Sequence, residues 1–555
     1  NDGGANVSFD GGLTWSTQSN QPTAQMYRVS VDNSFPYRLL GGQQDNSTVR
    51  LRSRSYSGGQ IGVRDWEPTA GCECGHVVAK PDDPDIVFGG CYGGLLERVN
   101  HRTGESQLVD VWPDDPMGWG AGELRYRFQW NFPLFFSPHD PNRIYTAAQV
   151  LFRSDDLGRT WQRLSDDLTR NDKTKQGSSG GPITQDNTSV EYYATIFAAL
   201  ESPHERDVLW TGSDDGLIHL SRDGGESWQN VTPPSLPEWT MVNSIEAHPT
   251  EKGGLYVAGT RYKLDDFRPY LYKTIDYGAT WTEITGGIAA DHFTRVIRAD
   301  PERAGLLYAG TERGVYVSFD DGAGWHALQG DLPIAPVTDL AVKDQDLIAA
   351  TQGRGFWILD DLTLLHQLDP GAVVDGPHLF TPRPSHRLVT GGTRAPSNGG
   401  TNPPSGVLMH FYVPPGHLSA LSAPDEADGP DEADEADEAD EAIHLAILNG
   451  DGEVIRTFTP KPDADAEAEA DDDAVLKLED GLNRFVWDLR YPAPDSFDGM
   501  VVWNRVGAGP KAVPGTYRAR LQLGQVTREV SFEVVQDPRS GATSEDFLKQ
   551  FDFLR

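Results

Sequence analysis

No run of 18 apolar residues occurs anywhere in the 555-residue chain, so no segment has the length of a membrane-spanning helix. The HExxH, GxSxG and Gly-rich phosphate-loop patterns are missing, which leaves zinc peptidases, α/β-hydrolases and P-loop enzymes without their signatures. No D-x-D-x-D-G loop is present either, so no metal and no cofactor is expected. Cysteine is scarce. Cys72, Cys74 and Cys91 are the only three, and a Cys-x-Cys without a second close pair is a poor zinc signature. A local disulfide from Cys91 to Cys72 or Cys74 is the favoured reading, with one thiol left over, and it fits an oxidising, extracytoplasmic compartment. Long helical periodicity is nearly absent.

Cationic charge is short as well. The chain carries 83 acidic and 47 basic residues, a net charge of -36, and only 11 of the cations are lysines. Asp425 to Glu441 and Asp463 to Asp473 hold 18 of the acids with no Lys or Arg among them. The remaining 65 still exceed the 47 cations. This balance excludes nucleic acid and anionic membrane as natural partners and suits a halophilic protein solvated in high salt.

What is present is β-forming: 59 Gly, 38 Pro, 14 Trp, 18 Tyr and 22 Phe. The length calls for two or more domains. One pattern, Ser/Thr-x-Asp-x-Gly-x-Thr/Ser/Gly-Trp, recurs five times, at Ser8–Trp15, Ser154–Trp161, Ser221–Trp228, Thr274–Trp281 and Ser318–Trp325. Each copy lies between β-type runs. The Asp is expected to accept backbone amides in a hairpin turn, the Gly to take a positive φ, and the Trp to pack between neighbouring sheets. Asp10, Asp156, Asp223, Asp276 and Asp320 are therefore structural. Around these copies a longer unit repeats over about 24–67, 76–112, 127–166, 190–232, 241–286, 293–330 and 336–367, as expected for four-stranded blades.

The recurring pattern resembles the Asp-box (BNR) repeat of sialidases, sortilins and related propellers. From Gly41 to Thr285 the chain looks like the bacterial Asp-box/sortilin-N-type propeller proteins often labelled "glycosyl hydrolase". The matching segments are Gly41–Asn46, Asn131–Asp140, Asp186–Tyr193 and Tyr262–Tyr270. Phe485–Arg490 and Val513–Tyr517 resemble the immunoglobulin-like module that follows such propellers. The resemblance implies an all-β chain, a seven-bladed Asp-box β-propeller followed by an immunoglobulin-like β-sandwich. It also implies an N-terminal propeller beyond Asn1, packing alongside. The chain opens at Asn1 inside a hairpin pattern, with no Met or signal peptide, and reads as a fragment. Expected boundaries are an orphan half-blade at 1–20, the propeller at 21–368, a linker at 369–406, the sandwich at 407–538 with disordered acidic insertions at 425–441 and 463–473, and a truncated tail at 539–555.

In a propeller the bends between second and third strands share one face with the blade-to-blade connections. That face is expected to carry Gln44, Asp45, Tyr92, Asp214, Asp215, Arg261, Asp266, Arg268, Glu312, Arg313 and Arg354, joined by Trp119, Glu123, Arg127 and Glu191 from the connections. Mixed carboxylates, arginines and aromatics suit a sugar site. Hydrolysis needs two carboxyls about 5–9 Å apart, and Asp45, Glu191, Asp214, Asp215 and Asp266 are the catalytic candidates. The family label implies a secreted or periplasmic protein with a polysaccharide ligand. A sortilin-like scaffold binding a peptide is the competing reading.

Overall fold

The computed structural model describes residues 5–17, 23–56, 60–369, 376–388, 399–421, 443–460, 475–493 and 508–555. Both acidic runs lie outside these residues. The chain is all-β and separates into two compact units. The first holds residues 1–55, 59–360 and 395–401, and the second holds 56–58, 361–394 and 402–555.

In the first unit, among the described residues, seven antiparallel meanders of three or four strands follow in chain order: 30–67, 77–108, 134–163, 196–230, 241–283, 294–327 and 337–359, here sheets 1 to 7. Six have four strands and sheet 7 has three. Second strands such as Leu209–Ser213 and Leu307–Thr311 are buried throughout, whereas the fourth strands Gln162–Arg163, Gln229–Asn230 and Thr282–Glu283 are exposed. A second strand is covered on both faces by neighbouring sheets, so its residues need not alternate in polarity. Apolar side chains interlock between successive sheets. Phe88 and Leu96 meet Phe132 and Phe152, Leu151 meets Ile196 and Leu209, and Trp210 and Ile218 meet Val242 and Leu255. Sheet 7 returns to sheet 1: Ile348 and Ala350 share a core with Met26, Val29, Tyr37 and Leu39, and the Met26 amide donates to Thr351 O at 3.0 Å. This is a β-propeller arrangement.

Four of the five repeated turns bind their neighbours in one way. In the second copy Asp156 accepts the Thr160 amide at 2.9 Å and the Thr160 hydroxyl at 2.8 Å. Gly158 has φ 83°, and a Cβ there would lie 2.9 Å from Val109. Trp161 Nε1 donates to Val109 O at 2.8 Å. The indoles of Trp228, Trp281 and Trp325 likewise reach Leu164 O, Val231 O and Ile284 O, each on the preceding sheet. The first copy departs from this expectation. Asp10 still accepts the Thr14 amide at 2.9 Å, but Trp15 is 63% exposed and its Nε1 bonds Gly12 O inside its own turn. The turn chemistry is local and forms regardless, while the Trp needs a preceding sheet, and none lies beneath it among the described residues.

The second unit stacks a three-stranded sheet (His378–Leu379, Val407–Val413, Gly481–Trp487) on a five-stranded one (Ser385–Arg387, Val526–Gln536, Gly515–Leu523, Ile443–Leu448, Val454–Phe458). Met409, Phe411, Leu445, Ile447, Trp487, Leu521 and Phe532 fill the space between them. Two stretches outside the main strands carry secondary structure of their own. Within 369–406, His378–Leu379 and Ser385–Arg387 pair with edges of these two sheets, whereas Gly400–Thr401 pairs with Gln60–Ile61 in the first unit; strands of two or three residues leave no periodicity to read. The tail carries the helix Ser544–Leu554, capped by Thr543.

Candidate functional site

The bends between second and third strands lie at one end of the sheets, opposite the Asp-containing turns, because a meander alternates its connections between ends. Asp45 sits at the bend after Arg38–Gly42. Its amide donates to Glu73 Oε2 at 2.6 Å, and Gln44 Nε2 bonds both Asp45 Oδ1 (2.6 Å) and Glu73 Oε2 (3.3 Å). Burial, and then the Asp45 charge, raise the Glu73 carboxyl above its ordinary value. Tyr92 also meets Glu73, and its ring lies 5.0 Å from that of Trp130. Glu73 stands between Cys72 and Cys74, and Tyr92 follows Cys91. The disulfide joins Cys72 to Cys91 and so anchors both contributors, while Cys74 remains a buried free thiol.

A second constellation surrounds a cavity of about 330 Å³ lined by Glu191, Tyr193, Trp239, Met241, Tyr262 and Lys263, with Lys175, Thr260, Arg261 and Leu264 completing the wall. The Tyr193 and Trp239 rings are 5.9 Å apart. Arg170 and Lys175 lie over the Trp239 ring at 5.3 and 4.9 Å. Trp239 holds φ 64°, and Ala194 and Asp265, next in sequence to the wall residues Tyr193 and Leu264, are also left-handed (φ 62° and 58°). A bulky residue in that region costs roughly 1–3 kcal/mol and persists where its surroundings over-determine it, a feature that clusters at binding sites.

The carboxylates expected on this face differ in their freedom. Asp266 accepts from Arg261 at 2.7 Å, from Arg268 at 3.0 and 2.9 Å and from Tyr270 at 2.6 Å. These bonds, Arg268's foremost, hold its carboxyl well below the usual range. Glu312 is held by Arg295 at 2.7 Å. Asp215 is fully buried, accepting from Ser213 Oγ at 2.6 Å and the Arg170 amide at 2.8 Å. Asp214, 2% exposed, takes the Thr195 amide at 2.9 Å and hydroxyl at 2.7 Å, yet burial pushes it up to about 7. Its charge acts on Tyr193 and Lys263, both on the cavity wall. Glu191 is exposed there and accepts the Thr188 amide at 2.8 Å.

The other expected residues spread outward. Arg127 is a buried staple, bonding Ala194 O at 3.0 Å and Asp167 at 2.6 Å. Glu123 caps the Gly120 amide at 3.0 Å, and the exposed Trp119 offers its carbonyl to Tyr192 at 2.9 Å. The backbone amides of Arg313 and Arg354 bond Thr311 and Thr351 hydroxyls at 3.2 and 3.1 Å. Among the described residues no cluster of His, Cys, Asp and Glu could hold a metal ion.

Sequence reasoning missed Glu73, Lys175, Tyr193 and Trp239 as site residues. The available signal for Trp239 was an aromatic in a blade-to-blade connection, already used for Trp119. Glu73 had its own mark, a carboxylate between two cysteines.

No family profile matches the chain. An uncharacterised protein of Saccharomyces cerevisiae is 24% identical over 249 residues, which cover 38% of this chain and 74% of that protein. A xyloglucanase of Paenibacillus is 23% identical over 246 residues, 38% of this chain but 22% of the enzyme. Among solved structures, a GH74 xyloglucanase from Xanthomonas campestris is similar with a TM-score of 0.46 at 16% identity, covering 63% of this chain and 54% of that one. The chain thus spans about a fifth of the Paenibacillus relative and about half of the solved enzyme.

Proposed function

We propose that this chain is a seven-bladed Asp-box propeller with an immunoglobulin-like module, and that it binds a glycan outside the cytoplasm. The observation that carries this is the cavity at Tyr193, Trp239 and Tyr262, where aromatic faces sit beside charged side chains with hydrogen-bonding capacity. Pyranose rings stack on such faces, and lysine, arginine and carboxylate groups bond their hydroxyls. The Cys72–Cys91 disulfide supports the compartment.

Binding suits the geometry better than hydrolysis, since Asp266, Glu312 and Asp215 are committed to internal partners. Hydrolysis is a second reading. It rests on Glu191, the carboxylate on the cavity wall, with Asp214 buried behind Tyr193 and Lys263 and held by Thr195 as the other carboxyl to test. The test is a polysaccharide panel in high salt, with reducing-end and mass-spectrometric detection, beside Glu191→Gln, Asp214→Asn and Trp239→Ala. Retained polysaccharide without products, lost in Trp239→Ala, fits binding. Products that vanish in Glu191→Gln or Asp214→Asn fit hydrolysis, and no retention at all refutes both.

A further inference from the structure

Cations are rare in this chain, yet lysines gather at this one cavity. Lys175 and Lys263 line it, and Lys173 belongs to the same short turn, Lys173–Lys175. Among the described residues neither Lys175 nor Lys263 forms an ion pair. The neighbouring acids are otherwise engaged: Glu238 with Arg170 at 3.3 Å, Asp266 with Arg261 at 2.7 Å, Glu191 with Thr188 at 2.8 Å and Asp172 with the Thr174 amide at 3.0 Å. Asp214 interacts with Lys263 through its charge but forms no ion pair with it, both its oxygens being held by Thr195. In a protein of net charge -36, two ammonium groups without an ion pair at a concave, aromatic-walled site offer cations to an anionic ligand, with Glu191 the carboxylate on the same wall.

We infer that the cavity takes an acidic sugar, one bearing a carboxylate or sulfate, with its ring against Tyr193 and Trp239 and its anionic group between Lys175 and Lys263. This rests on the glycan reading above and narrows it. The Lys175 ammonium lies over the Trp239 ring, 4.9 Å from its centre, so the cation and the aromatic wall belong to one surface of the cavity. Arg170, over the same ring at 5.3 Å, is paired with Glu238, which leaves Lys175 and Lys263 as the anion-binding cations.

The test is titration calorimetry of the intact chain with oligosaccharides in matched pairs: oligouronides and their methyl esters, and sulfated oligomers and their desulfated forms. The wild type is expected to bind the acidic member about tenfold or more tightly than the neutral one, the scale of a charge-assisted pair. Lys175→Gln/Lys263→Gln is expected to erase that preference, while Lys252→Gln/Lys343→Gln, with the same charge change outside the cavity lining, keeps it. Preference for the uronide or for the sulfated arm identifies which anion the site takes. Equal affinity within each pair, abolished by Trp239→Ala, overturns the acidic-sugar inference and leaves the glycan reading standing. A folded wild type that binds no member of any pair overturns both.

Discussion

Trp161 donates its indole proton to the Val109 carbonyl at 2.8 Å, tying the repeated turn of sheet 3 to the last strand's end on sheet 2. Trp15, in the same sequence pattern, closes on its own turn instead. The two therefore make opposite demands on the fold. Trp161→Phe is expected to cost about 1–2 kcal/mol, a lost buried hydrogen bond with most of the packing kept. Trp15→Phe should leave stability within about 0.5 kcal/mol of wild type. Urea denaturation of both variants checks this, and equal losses would mean that the first turn is docked after all.

Gly158→Ala tests the same contact from the backbone side. Its φ of 83° and the 2.9 Å approach to Val109 predict a destabilisation of about 1–3 kcal/mol by the same measurement. Gly104 has φ 73° but open space around it, so Gly104→Ala should cost less, through the backbone alone.

Asp214 gives a pH signature with a definite sign. Its carboxyl is raised from 3.8 to about 7 by burial. The folded state therefore binds more protons than the unfolded chain in that interval, and Asp214's contribution is full below pH 3.8 and lost as pH rises to about 7. Against Asp214→Asn, which keeps the shape and cannot ionise, the wild type should lose relative stability over that window. Melting temperatures of both proteins from pH 4 to 8 measure the difference (about the span of the shift), and parallel curves would show that Asp214 does not titrate there.

The disulfide makes a chemical prediction. Peptide mapping under native, alkylating conditions should return Cys72 linked to Cys91 and Cys74 unmodified, because Cys74 is buried and burial pushes its thiol up. Cys72→Ser/Cys91→Ser should lower stability by about 2–4 kcal/mol, since the bridge closes a loop with a separation of 19 residues. A Cys74–Cys91 link would refute the Cys72–Cys91 pairing.

The strands of both units were largely legible because β-branched and aromatic runs separated by turn residues carry their own signal, as in Val407–Val413 and Gly515–Leu523. The Asp-containing turns were legible for a similar reason: Ser154, Asp156 and Thr160 bond one another within seven residues. His378–Leu379 and Ser385–Arg387 were not, since two- and three-residue strands depend on a partner edge remote in sequence. The site divides in the same way. Which bends share a face follows from the meander, so Arg261 and Glu191 were both expected on one face. That Asp266 would be consumed by two arginines, or that Tyr193 would meet Trp239, depends on how adjacent sheets rotate and pack. The left-handed backbone of Trp239 leaves no trace in composition at all.

The account stands or falls on the cavity at Tyr193, Trp239 and Tyr262. Hydrogen–deuterium exchange of the intact chain, with and without the tightest-binding oligosaccharide of the panel, tests it most directly. Protection is expected at residues 191–195, 239–243 and 260–264, the segments that line the cavity, and should disappear in Trp239→Ala. Protection confined to the Asp45, Glu73 and Tyr92 cluster or to the second unit, with these three segments unchanged, would contradict it.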